Sequence, residues 1–403
     1  MTNRLTSSLI THNDYSSIQL RMERLEVAVT TFTIVLILEF FITFQNPTLI
    51  KNINDTPTIH KFKCSKKCKT INNLPEMKNR NKLAPLIPDK RPFTHNESRV
   101  ILFTKDLSDK QQQNYYQQAE KYISEFWNTQ IKNGIEIKIP DSSQYFKNVP
   151  ELYHYTWFSC HDFKFINFLS MYSVYHNFES KHAKIIFHTD CEPINSFYWI
   201  LFKSIAEENN RLIIQQIKIF DKIWNKKLVH VEHVSDVYRI LLLSKFGGIY
   251  CDDDMIFLKS HGDLFNTKVP IMGDAQRATI ANGFIITPKS PKIFLKWLIE
   301  YKEYMPVKQN WDWFSVRKIW SLWRMYPDEI NVLDGKLVRP GAMELDLIFG
   351  GYYDWRDSYN VHIYKRSFGK YGINVDSFED IDCLKYSVGE ILRKVAYGST
   401  DFC

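Results

Sequence analysis

From Val149 onward the chain alternates short apolar runs with longer segments of helical spacing, and this alternation narrows the fold more than any other feature. Leu152 to Phe158 reads as a strand, Phe163 to His176 as a helix, and Lys184 to Thr189 as a buried strand. Asn195 to Glu208 reads as a helix and Leu212 to Ile217 as a third strand. Val231 to Lys245 is helical in spacing and stops at Gly247, a residue suited to ending a helix. Ile249-Tyr250-Cys251 then run into Asp252-Asp253-Asp254, and Met255 to Leu258 are expected to continue the strand. A β-α-β-α-β order implies an α/β domain with a mainly parallel sheet covered by helices. Ligands of such sheets bind beyond the carboxyl ends of the strands, which is where the three aspartates fall.

Three adjacent carboxylates repel one another and are costly to desolvate, a conflict that a divalent cation relieves. A solvated acidic turn is the alternative. The apolar runs on both sides, with the tight Gly247-Gly248 turn before them, favour a site. In an extended chain residues 252 and 254 point one way and 253 the other. Asp252 and Asp254 are therefore expected to face one ion, with Asp253 turned away. Asp236 and Arg239 stand at i and i+3 on the preceding helix and share a face. Taken alone they would form a surface ion pair of little energetic consequence.

The block Ser235-Asp236-x-x-Arg239, followed by Gly247-Gly248-x-Tyr250-x-Asp252-x-Asp254, resembles the sugar-binding DXD region of glycosyltransferases in the GT-A superfamily. The likeness is to the group holding yeast-type mannosyltransferases, α1,4-galactosyl- and α1,4-N-acetylglucosaminyltransferases and glucosylating clostridial toxins. Val149 to Phe158 resembles the opening strand of that domain, and the likeness thins beyond residue 300. It implies a GT-A (Rossmann-like) nucleotide-sugar-binding domain that takes a UDP-sugar donor and Mn²⁺ or Mg²⁺, and transfers the sugar with retention to a glycan, glycoprotein or glycolipid acceptor. It implies Asp254 as the primary metal ligand, with Asp252 shared between metal and donor. Asp236 would accept bonds from sugar hydroxyls, and Arg239 would contact sugar or diphosphate.

Further positions have two readings each. Trp157 either stacks on the nucleotide base or belongs to the core. His362 either completes the metal site, as a late histidine does in many relatives, or is simply packed between apolar neighbours. Asn282 and Gly283 either line the donor pocket or mark a bend before a strand at Phe284 to Ile286. Trp311, Trp313, Trp320 and Trp323 either offer sugar faces a platform or pack; the helical spacing of the last three favours packing. Asp346 is an acceptor-side carboxylate or a core-edge residue.

A hydrophobic content of 44% and an aromatic content of 15% exclude a disordered chain. The net charge of +7 is not interleaved with aromatics as a single-strand nucleic-acid binder requires, so no nucleic-acid partner is expected. Val27 to Phe44 is apolar apart from threonines and Glu39 and reads as a signal-anchor. A charged Glu39 at the bilayer centre would cost roughly 2–3 kcal/mol. A cleaved signal peptide, giving a soluble secreted enzyme, is the alternative, but no small-x-small site follows Phe44.

The expected organisation is a cytoplasmic tail over 1–26, a span over 27–44, a stem over 45–98 and a lead-in over 99–148. That lead-in holds a strand at Val100 to Phe103 and a helix at Gln111 to Trp127, and the catalytic domain over 149–403 follows. Sequons at Asn54 and Asn96, together with seven cysteines, agree with a Golgi or ER lumenal, type II placement. Cys251 is expected to be buried and unpaired. A different class remains open: a membrane-anchored carbohydrate-binding protein with an inactive glycosyltransferase fold.

Overall fold

The computed structural model describes residues 102–141, 147–275, 279–305 and 312–401. The apolar segment 27–44, both sequons and the lysine-rich stem lie outside the described residues. Among the described residues no helix is long and apolar enough to cross a membrane.

The described chain opens on α1 (Asp109–Lys132), whose Ser108 cap and Gln111 form a reciprocal capping box. The first parallel layer follows as β1 (Leu152–Trp157), α2 (Phe165–His176), β2 (Lys184–Thr189), α3 (Phe197–Glu208) and β3 (Leu212–Gln216). A small hairpin, β4 (Lys222–Ile223) and β5 (Lys226–Lys227), leads to α4 (Val231–Phe246). Next come β6 (Gly248–Cys251), β7 (Met255–Phe257), β8 (Ile271–Asp274) and β9 (Ile280–Thr287). The remainder contains α5 (Lys292–Glu300), α6 (Lys318–Met325), β10 (Asn331–Leu333), α7 (Leu345–Phe349), β11 (Asn360–His362), α8 (Phe378–Asp382) and α9 (Tyr386–Tyr397).

Seven strands form one sheet in the order β10-β8-β9-β6-β1-β2-β3. All neighbours in it are parallel except β9, which runs antiparallel to both β6 and β8. The expected mixed α/β, mainly parallel sheet is present. The chain leaves β1 toward β2 and β3, then returns through α4 to β6 on the other side of β1. The strand order therefore reverses between β1 and β6, and a crevice opens beyond the carboxyl ends of such a pair. Trp157 ends one of these strands and Cys251 the other.

The helices bury apolar faces on this sheet. In α4, residues Val237, Tyr238 and Ile240 to Leu243 are all fully buried. α1 lays Ala119, Ile123 and Trp127 into the same core, and Trp127 Nε1 donates to the Leu241 carbonyl at 3.3 Å. The amides of Leu102 and Phe103 donate to the buried Glu300 carboxylate, which also takes the Lys318 ammonium at 2.7 Å. Leu102 and Phe103 are thus hydrogen-bonded into the sheet domain's core. A buried ion pair of this kind resists disruption because removing one partner strands the other charge.

Gly247 has φ +68° and Gly248 φ +103°, conformations that suit residues without a side chain. A Cβ on Gly248 would also lie 2.6 Å from the Leu152 carbonyl oxygen, so the turn between α4 and β6 admits glycine on two grounds.

Some elements differ from the sequence expectation. Leu102 and Phe103 sit in a bend rather than a strand, their amides engaged by Glu300 instead of a neighbouring strand. The strand at Phe284 to Ile286 extends over Ile280–Thr287 and is antiparallel. β7 does not prolong β6 in the main sheet: it pairs antiparallel with β11, His362 opposite Met255. The chain therefore turns at Asp252-Asp253-Asp254 instead of passing straight through.

Candidate active site

The aspartate triplet follows β6 as a turn, and because the strand stops at Cys251, period-two alternation does not govern where its side chains go. Each carboxylate has its own partners. Asp252 accepts from the Tyr250 hydroxyl at 3.1 Å and lies 3.6 Å from the Arg239 guanidinium. Asp253 accepts from Asn167 Nδ2 at 3.1 Å and from the Lys365 ammonium. Asp254 has His362 Nε2 at 2.9 Å from one oxygen, while its other oxygen accepts from the Lys365 amide at 2.9 Å. Asp253 is therefore engaged by α2 and by the segment after β11, with partners other than the His362 side chain that meets Asp254.

Asp236 and Arg239 are 5% and 4% exposed, so the surface ion pair that spacing alone suggested is in fact a buried one. The guanidinium lies 3.1 Å from Asp236 Oδ1 and donates to the Asn282 carbonyl at 2.5 Å. It also rests over the Tyr250 ring at 4.3 Å, a cation–π contact. Asn282 Nδ2 closes the ring by donating to Asp236 Oδ1 at 2.7 Å. Burial pushes the Asp236 carboxyl up from its ordinary value, with Arg239 pulling the other way.

Pairing of β6 with β9 brings Asn282 and Gly283 to this point. Cys251 lies opposite Phe284, and the Asp252 amide donates to the Gly283 carbonyl at 2.7 Å. A Cβ on residue 283 would stand 2.5 Å from Asp252 Oδ2, so glycine leaves the room that the Asp252 carboxylate occupies.

β11 delivers His362. The Ile363 amide donates to the Asp254 carbonyl at 3.0 Å, locking this strand end to the turn. Tyr364 adopts a left-handed φ of +49° and stacks on the His362 ring at 3.8 Å. Burial disfavours the charged forms of both Asp254 and His362. Their mutual attraction wins, holding the Asp254 carboxyl well below the usual carboxylate range and raising His362 above the ordinary histidine value. Burial raises Asp253, and the Lys365 charge offsets part of that rise.

Carboxylate oxygens such as those of Asp252 and Asp254 are the ligand type a hard divalent cation takes, and His362 Nε2 stands at hydrogen-bonding distance, 2.9 Å, from Asp254 Oδ1. Asp252 is turned toward Arg239 and Tyr250. Among the described residues no three His, Cys, Asp or Glu side chains are gathered as a ready ligand cluster.

Trp157 belongs to the core. It is 1% exposed, packed among Phe163 and Phe187, with His161 stacked on it at 3.9 Å. Trp313 and Trp323 pack against the core and Trp320 is buried within it, whereas Trp311 lies outside the described residues. Asp346 is exposed and accepts from the Tyr371 hydroxyl at 2.7 Å. Cys251 is buried and unpaired as expected, and Cys160 is bridged to Cys191. The sequence reading missed Asn167, Thr156 and Lys365, and it placed Tyr250 in the motif without giving it a role. Asn167 carried a signal: it is the amide in the otherwise apolar start of α2 and is 1% exposed. Thr156, within 3.1 Å of the Tyr250 hydroxyl, and Lys365 carried none.

Residues 76–271 match the family described as glycosyltransferase sugar-binding region containing DXD motif. Over 175 residues, 41% of this chain, the sequence is 27% identical to glucan organizing enzyme 1 of Cryptococcus neoformans var. grubii serotype A. The match spans 45% of that relative's length. Among solved structures, the PaToxG glycosyltransferase is similar over 73% of this chain and 97% of its own, at 14% identity and a TM-score of 0.32. The glycosyltransferase GlyE of Streptococcus pneumoniae TIGR4 is similar over 62% of this chain and 64% of its own, at 12% identity and a TM-score of 0.37. The residues that carried the resemblance, Asp236 through Asp254, all fall inside the matched stretch.

Proposed function

We propose that this protein is a metal-dependent glycosyltransferase that moves a sugar from a nucleotide-sugar donor, a UDP-sugar, to a hydroxyl of a glycan, glycoprotein or glycolipid. The observation that carries the reading is one convergence. Beyond the carboxyl ends of β1 and β6, the buried Asp236–Arg239–Asn282 group meets Asp252, beside an Asp254 joined to His362.

Asp254 and His362, with Asp252, would hold Mn²⁺ or Mg²⁺. When bound, that ion supplies Lewis-acid stabilisation of the charge that grows on a diphosphate leaving group. The protein's own residues do the rest. Arg239, fixed by Asp236 and the Asn282 carbonyl, is a positive charge that needs no reorganisation to face an anionic donor. Asp236 and Asn282 are held in one orientation to take sugar hydroxyls. Lys365, beside Asp253, adds a second cation at the rim. Retention by front-side attack within the donor complex is the expected stereochemical course.

By the same reading the 27–44 segment anchors the protein in a Golgi or ER membrane with the catalytic domain lumenal. The Cys160–Cys191 disulfide is in keeping with an oxidising compartment. Protease protection of the catalytic domain in sealed microsomes tests the placement.

The activity is tested by incubating the purified chain with a panel of nucleotide sugars and Mn²⁺. Nucleotide release that depends on the ion and is lost in Asp254→Ala supports the reading. No release from any donor, or release indifferent to Asp254→Ala, ends it.

A further inference from the structure

Trp157 closes β1 at the reversal of strand order, where the donor's nucleoside would lie if the reading above holds. Its ring has no free face for a base. It is 1% exposed, Phe163 and Phe187 pack around it, and the His161 ring lies across it at 3.9 Å with an interplanar angle of 25°. His161, by contrast, is exposed. One face of the His161 ring lies on Trp157, and the residue as a whole is exposed.

The loop that carries His161 is unusually well fixed. Ser159 takes a left-handed φ of +70°, a conformation that costs energy for a residue with a side chain. Its amide donates to Asp190 Oδ1 at 3.0 Å, and His161 Nδ1 donates to the Ser159 carbonyl at 2.6 Å. The next residue, Cys160, is bridged to Cys191, so the loop after β1 is tied to the loop after β2 by one covalent and one hydrogen bond. Such ties fix a binding surface before the ligand arrives, which lowers the ordering cost of binding. The platform also adjoins the acidic turn, because the Lys365 ammonium that pairs with Asp253 stands 5.8 Å from the Trp157 ring centre.

We infer that His161, backed by Trp157, is the ring on which the donor's nucleobase stacks, and that Trp157 serves as its support. The inference rests on the proposed use of a nucleotide-sugar donor. It is tested by calorimetric titration of the purified chain with UDP and, separately, with pyrophosphate, both in the presence of Mn²⁺. Wild type, His161→Ala and His161→Phe are compared, with thermal melts as a folding check.

His161→Ala is expected to weaken UDP binding by roughly 5- to 150-fold, the range for loss of a base-stacking ring. Pyrophosphate, which has no base, is expected to bind that variant as it binds wild type, and His161→Phe is expected to retain most of the UDP affinity. UDP binding that is unchanged or tighter in His161→Ala overturns the inference, because it means that His161 merely covers Trp157. Equal losses for UDP and pyrophosphate, or a loss in His161→Phe matching that in His161→Ala, also overturn it. If wild type binds pyrophosphate with Mn²⁺ but no nucleoside diphosphate tightens that binding, the donor reading fails first and the stacking platform falls with it.

Discussion

Arg239 donates to the main-chain carbonyl of Asn282 at 2.5 Å, and Asn282 returns a bond to Asp236, the ion-pair partner of Arg239. A helix residue and a residue of the antiparallel strand are thereby closed into one buried polar ring beneath Asp252. Removing the cation leaves Asp236 buried and uncompensated. Arg239→Ala is expected to destabilise the fold by about 3–5 kcal/mol, read by denaturant unfolding. Adding Asp236→Asn to that variant is expected to recover part of the loss, since it removes the stranded charge. A double variant no more stable than the single one would contradict this pairing.

Gly283 gives a separable effect. The atom that an added methyl would meet is the far end of a partly exposed side chain, Asp252 Oδ2. Gly283→Ala is therefore expected to leave the melting temperature nearly unchanged while reducing donor turnover at least tenfold, because the Asp252 carboxylate must rotate away. Full turnover in this variant would show that the Asp252 orientation is immaterial.

The aspartates of the turn should not be equivalent. Asp254 is engaged by His362 and the Lys365 amide, whereas Asp253 bonds Asn167 and the Lys365 side chain. Asp254→Asn is expected to abolish nucleotide release. Asp253→Asn, which can keep the Asn167 contact, is expected to lose less than tenfold in kcat. Equal losses would contradict the assignment of Asp254 as the principal ligand.

Acid should destabilise the fold through buried histidines outside the acidic turn. Burial lowers His154 and His261 to about 3 and lowers His188 well below its ordinary value. His188 accepts from or donates to Tyr238 at 2.9 Å and meets His154 at 3.1 Å, a chain that works with neutral rings. The unfolded chain takes up these protons below about pH 6.5 and the folded chain does not. Stability is thus fully present above that value and falls as pH drops toward 3, with a slope approaching about 1.4 kcal/mol per pH unit for each such histidine. Chemical denaturation between pH 7 and 4 checks it; a flat profile would contradict the buried neutral rings.

The sequence made the sheet legible where local pattern and burial agreed. Lys184 to Thr189 is the observed β2, and α4 runs to the glycine that was expected to end it. What failed depended on long-range pairing. The alternation argument for Asp252 to Asp254 assumed an unbroken strand, but β7 is drawn into a separate pair by β11, more than a hundred residues later. That same pairing brings His362 to Asp254, a meeting that spacing could not reveal. The polar ring of Asp236, Arg239 and Asn282 was legible in part, since the helix positions were evident while the register of β6 on β9 was not. Trp157 shows the reverse case: an aromatic at the right strand end proved to be core, because the loop after it folds back and lays His161 on its face.

On the proposed function, Asp254 and His362 hold a cation that helps bind the donor's diphosphate. This is tested most directly by titrating UDP into wild type and Asp254→Ala with and without Mn²⁺. Mn²⁺ is expected to tighten UDP binding at least tenfold in wild type and to have no effect in Asp254→Ala. The same affinity with and without Mn²⁺ in wild type, or an equal gain in both proteins, would contradict it.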